Sequence, residues 1–143
     1  MPLPAPKLNE AKRRMRARKE GHALLVLASM PRYAYWIYSA PQATQVDRYV
    51  ADQRTFLESL PAALVAKVVV RLYPADYGQR IHERIAGTPA TIRTPAGKLS
   101  FADDLNHSRL MIGTYNATTY LETLAADFPT LLFWNFEHRS EEH

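Results

Sequence analysis

The chain has 143 residues, a formal charge of +4 and no cysteine. That length allows one domain with a real hydrophobic core and excludes two full-sized domains enclosing a cleft. The missing cysteine excludes disulfide frameworks, thiolate nucleophiles and cysteine metal sites, and the longest apolar runs fall short of the roughly 20 residues that cross a bilayer. No secretory signal is readable, because the basic start leads into only a short apolar run that Pro31 ends.

The first predicted element is basic. Residues 7–19, "KLNEAKRRMRARK", hold seven Lys or Arg, whereas residues 21–143 hold eleven against twelve acids, so the excess is local. A solvated, helix-forming lead-in or inter-domain segment over residues 1–22 accounts for it better than a polyanion contact does, and there is no strong nucleic-acid signal. "ALLVLA" is short and continuously apolar, which predicts a buried parallel strand near residues 23–29. The aromatic loop "SMPRYAYWIYSAPQ" follows, with Pro31 and Pro41 limiting regular structure. Residues 47–60 carry Tyr49, Val50, Phe56, Leu57 and Leu60 at helical spacing, with Asp47 as the expected cap.

"AKVVVRLYP" predicts a second strand near residues 67–72, since consecutive valines favour the extended state. "ADYGQRIHERIAG" reads as a loop and short helix ending at Gly87, and "ATIRT" as a weaker strand near residues 91–94. Ser100 is placed to cap a short helix in "SFADDLNHS"; "RLMIGT" predicts a strand near residues 109–113. "NATTYLETLAADF" is a helical context that Pro129 ends, and "TLLFW" is the last strand, near residues 130–134. The alternation implies an α/β, Rossmann-like three-layer domain over residues 23–135, with right-handed crossovers around a mostly parallel sheet and a polar tail at 136–143. Such sheets bind ligands beyond the C-terminal ends of their strands, so the loops after Ala28, Arg71 and Gly113 are the ones to inspect.

After Gly113 the chain reads "TYNATTYLE". Asn116 can cap the next helix, and Thr118 and Thr119 add hydroxyls beside its exposed amides, where the helix field favours a phosphate. Glu122, about one turn on, can accept hydrogen bonds from a sugar hydroxyl. Arg71 offers a guanidinium fork for a phosphate or carboxylate at the end of its strand. Tyr73 and Tyr77 are placed to line a base or acceptor pocket, with Asp76 orienting Arg71, and Arg32 is a further cation. Structural roles stand beside each of these: Asn116 as a cap alone, Tyr115 and Tyr120 as packing, Glu122 as a charge partner, Arg71 and Asp76 as an internal pair. The chain has neither a Walker motif nor a dinucleotide fingerprint. Its histidines at 22, 82, 107, 138 and 143 match no HExxH-like spacing, and Ser29 sits in no nucleophile elbow. No metal site, cofactor or catalytic residue is predicted from these patterns.

The stretches "VVVRLYPADYGQR" and "SRLMIGTYNATTYLETLAADFPTLLFWN", extended upstream by "RYAYWIYSAP", resemble a bacterial surface-carbohydrate biosynthesis transferase family. Its members are similar to GT-B glycosyltransferases, in which two Rossmann-like domains enclose donor and acceptor. The resemblance implies that this chain is the C-terminal, donor-side domain, and that Arg71, Tyr115, Asn116, Thr118, Thr119 and Glu122 bind a nucleotide-sugar donor, with Arg32 and Asn135 as additional contacts. It further implies a carbohydrate acceptor, a separate N-terminal domain or oligomeric partner that completes the cleft, little turnover by the chain alone, and a place in the cytoplasm or at the periphery of the inner membrane. The alternatives are a non-catalytic nucleotide- or phosphate-binding module and a structural interaction domain.

Overall fold

Five short apolar runs become the strands of one sheet: β1 (His22–Val26), β2 (Val68–Arg71), β3 (Thr91–Arg93), β4 (Ser108–Gly113) and β5 (Thr130–Leu132). A computed structural model of the chain describes residues 6–29, 45–93, 99–115 and 118–133. Every strand pair is parallel, in the order β3-β2-β1-β4-β5. All the expected strands are present with ends shifted by a few residues, and the topology is Rossmann-like.

Helices α1 (Pro6–Arg14), α2 (Val46–Ser59), α3 (Ala62–Val65), α4 (Ile81–Ile85), α5 (Phe101–Asn106) and α6 (Thr118–Ala125) cover the sheet. Successive strand residues point to opposite faces, so the apolar runs feed two cores. Leu25, Val68, Val70 and Ile112 meet Tyr49, Val50 and Leu57 of α2, Val65 of α3 and Ile81 and Ile85 of α4. Leu24, Val26, Val69 and Met111 meet Ala11 of α1, Met15, Leu105 of α5 and Phe128. Leu24 and Leu25, both fully buried, each contribute about 1.5–3 kcal/mol in apolar transfer.

The basic lead-in therefore belongs to the second core through Ala11 and Met15, while the lysines and arginines described around them stay exposed. Asn106 ties this segment down: its Nδ2 donates to Arg14 O at 2.8 Å and its Oδ1 accepts from Arg16 N at 2.9 Å. Ser100 caps α5 as its sequence predicts, accepting from Asp103 N at 3.1 Å. Asp47 does not cap α2. Gln45 occupies that position and Asp47 lies in the first turn, paired with Arg84 at 2.8 Å. At the far end of α6 the chain turns before Pro129: Asp127 is left-handed (φ 53°), Phe128 N donates to Thr123 O at 2.9 Å and Asp127 N to Leu124 O at 3.1 Å. These are the two bonds of a Schellman turn, which satisfies carbonyls that a helix end leaves open. Among the described residues no helix is long and apolar enough to cross a membrane.

Candidate functional site at the C-terminal edge of the sheet

The strand order changes direction between β1 and β4, and in open parallel sheets such a switch point opens a crevice at the carboxyl ends of the strands. A buried relay ties the two strand ends together there. Thr114 Oγ1 donates to Val26 O at 2.8 Å, so Tyr49, 2.5 Å away, donates its hydroxyl proton to Thr114 and accepts Ala28 N–H at 2.8 Å. Burial raises the Tyr49 pKa, which keeps the phenol protonated for this role. One side chain from α2 thereby fastens the ends of β1 and β4. Tyr49→Phe leaves Ala28 N–H without that acceptor and should cost about 1–3 kcal/mol. The loss should appear as a lower urea midpoint at an unchanged m-value; an unchanged midpoint would show that the relay carries no stability.

Beside the switch point, the end of β2 and the loop after it form a cleft of about 190 Å³ lined by Ser29, Leu72, Tyr73, Asp76, Arg80 and His82, among others. Tyr73 and Tyr77, both exposed, face each other with ring centroids 6.2 Å apart. The loop is strained: Tyr77 (φ 52°) and Arg80 (φ 53°) are left-handed without being glycine, a conformation worth about 1–3 kcal/mol each that clusters at ligand sites. Asp76 braces it. Its carboxylate accepts Arg80 N at 2.9 Å and Ile81 N at 3.1 Å, and its carbonyl accepts the Ser29 hydroxyl at 3.0 Å. Asp76 is thus the brace of α4 and not the residue that orients Arg71, because its two oxygens face the start of α4.

The partner of Arg71 is Asp104. This carboxylate is fully buried, one oxygen accepting from Arg71 Nη1 and the other from Arg93 Nη1. Arg71 also donates to Leu99 O at 3.2 Å, and its guanidinium carbon lies 5.9 Å from the centre of the Phe101 ring. Arg93 and Asp104 are residues of this cluster that the local sequence patterns do not single out. A signal was present: Phe101, Asp104 and Leu105 share one face of α5 by their spacing, which puts a carboxylate on an apolar stripe.

Tyr115 packs against both cores, within the electrostatic reach of Arg71 and Tyr73. Burial, then Tyr73, pushes its hydroxyl up to about 12 against the opposing pull of Arg71. It is a protonated donor at neutral pH. Burial lowers the Arg71 pKa, with Tyr115 acting in the other direction. The structure thus brings Arg71 and Tyr115 to one place. Thr118 and Thr119 occupy the first turn of α6, exposed and half-buried, and Glu122 lies half-buried farther along it. Asn116, Arg32 and Asn135 lie outside the described residues.

A family profile described as LIC12162 family transferase matches residues 1–141. The chain belongs to the LIC12162 family of transferases. No curated protein and no solved structure gives a significant match. For a LIC12162 transferase, the parallel sheet and its switch point are consistent with a nucleotide-binding domain. At the opposite end of the sheet this family member carries a serine–histidine contact, His22 Nε2 to Ser108 Oγ at 2.9 Å. Ser108 is fully buried and its hydroxyl donates to Asp104 O at 2.8 Å, so the histidine is the donor in this contact. Burial, with Arg93 and His107 adding to it, holds His22 below the ordinary imidazole range. Among the described residues no cluster of His, Asp or Glu could hold a metal ion.

Proposed function

We propose that this LIC12162 transferase chain is the donor-binding portion of a glycosyltransferase of GT-B type, which moves a sugar from a nucleotide sugar to a hydroxyl of a surface carbohydrate such as lipopolysaccharide. The observation that carries the reading is the parallel order β3-β2-β1-β4-β5, whose switch point has Arg71 and Tyr115 beside it and the start of α6 just beyond. Membership of a transferase family supports group transfer as the reaction class.

In this reading the donor phosphates lie by the first turn of α6, where Thr118, Thr119 and the first-turn amides donate and Arg71 supplies charge. Asn116, Arg32 and Asn135 are further contacts, and Glu122 accepts from a ribose or sugar hydroxyl. As the bond from the sugar carbon to phosphate oxygen breaks, the oxygen keeps the electron pair; the acceptor oxygen forms the new bond and releases its proton. Donors fixed around the leaving phosphate stabilise that charge. The site for the acceptor and the base that takes its proton come from a second domain or another copy of the chain, because transfer needs both substrates held in one geometry. We place the reaction in the cytoplasm or at the periphery of the inner membrane.

Calorimetry with a panel of nucleotide sugars tests the reading. One donor should bind, Thr119→Ala should cost about 0.5–1.5 kcal/mol, and Arg71→Gln should cost about 1.5–3 kcal/mol because a charged contact is lost. Circular dichroism confirms that both variants are folded. A panel with no binder, or a donor whose affinity ignores both substitutions, would refute the assignment.

A further inference from the structure

We propose that Arg93 and Asp104 complete, together with Arg71, an anion subsite built for a diphosphate at the C-terminal ends of β2 and β3. The subsite deepens the donor-binding reading and rests on it for the identification of the diphosphate as part of a nucleotide sugar.

Arg71 and Arg93 are register partners on adjacent parallel strands, so their side chains leave the sheet on the same face about 4.8 Å apart. Both reach one carboxylate, and among the described residues neither pairs with any other. Neutralising Asp104 requires one arginine. The second leaves the trio with an excess positive charge, in a place where the arginine side chains remain 20% and 27% exposed and can be reached from solvent. A guanidinium has five N–H donors in a planar fork, and Asp104 engages Nη1 of each. Donors therefore remain on both forks.

Two forks side by side suit two linked phosphoryl groups, one bidentate contact apiece. A carboxylate or an orthophosphate fills only one. Asp104 is the positioning residue: it holds two long, rotamer-rich side chains in place before the anion arrives, which removes much of the ordering cost of binding.

Inorganic pyrophosphate is the probe. It should bind the full chain more tightly than orthophosphate, and Arg93→Gln should weaken it about ten- to hundredfold, with Arg93→Lys in between. Asp104→Asn, if folded, should erase the preference for pyrophosphate over orthophosphate, which a purely structural role would leave alone. Because these variants disturb a buried pair, the unmodified chain is also titrated by NMR, where the Arg71 and Arg93 Nε–H resonances should move together. Failure of pyrophosphate to bind, or an Arg93 resonance that stays put while it binds, would overturn the subsite. Pyrophosphate bound through Arg93 in a chain that takes no nucleotide sugar would keep the subsite and remove the donor reading. A nucleotide sugar bound through Arg71 and Thr119 with Arg93 unmoved would do the reverse.

Discussion

Asp104→Ala should destabilise the fold by about 3–5 kcal/mol, since removing one member of a buried ion pair strands the charge that remains. Here it strands two, the guanidinium groups of Arg71 and Arg93, which share that single carboxylate. Both arginines are partly exposed, at 20% and 27%, so water will soften the loss and place it at the lower end of the range. Even about 3 kcal/mol is a large share of the roughly 5–15 kcal/mol that holds a typical domain together. Urea denaturation reads the change directly. The neighbouring Asp103, which takes a hydrogen bond from Ser100 Oγ at 2.6 Å on the surface, is the comparison: Asp103→Ala should move the midpoint far less. Equal shifts for the two substitutions would mean that the buried cluster is no more important than a surface cap.

Gly21→Ala should also be severe, for steric reasons. Gly21 has φ +155°, and a Cβ there would stand 2.8 Å from His107 O and 3.3 Å from Arg109 N, both backbone atoms that no rotamer change can move. The backbone conformation alone costs a side-chain-bearing residue about 1–3 kcal/mol, and forcing extra volume into a packed site costs about 1–3 kcal/mol more. Gly87 separates the two contributions. It is left-handed (φ +84°), but a Cβ there meets nothing within 4 Å, so Gly87→Ala bears the backbone cost alone. Thermal midpoints should fall in the order wild type, Gly87→Ala, Gly21→Ala. A Gly21→Ala protein as stable as Gly87→Ala would show that the chain entering β1 can shift away from α5 and β4 at no cost. Such a shift would disturb the bond from Arg18 N to Ser108 O at 3.3 Å, which secures the same corner.

The sequence by itself determined the strands and much of the edge at which open parallel sheets take their ligands. "ALLVLA", "KVVVR" and "RLMIG" are continuously apolar because sheet residues covered on both faces meet no water, and that signal survives without any tertiary knowledge. Ser100 was legible for an equally local reason, since a cap bonds to an amide within its own turn. Asp47 misled because it too has a capping side chain, yet Arg84, distant in sequence, draws it into an ion pair instead. The role of the basic lead-in was hidden in two apolar residues: Ala11 and Met15 are exceptions in a run of charge, and only the tertiary packing of this segment makes them core. The placement of Arg71 was readable from its position at a strand end, whereas its partner was not. Asp76 is close in sequence and Asp104 is far, and the choice fell to Asp104 because parallel pairing sets the last residues of β2 and β3 side by side, where both arginines reach the carboxylate that α5 carries. Strand order likewise belongs to the tertiary structure alone, since apolar runs state that strands are buried and say nothing of which neighbours bury them. The switch point, the Tyr49–Thr114 relay and the two arginines on one carboxylate all follow from that order, because each joins residues that are remote along the chain.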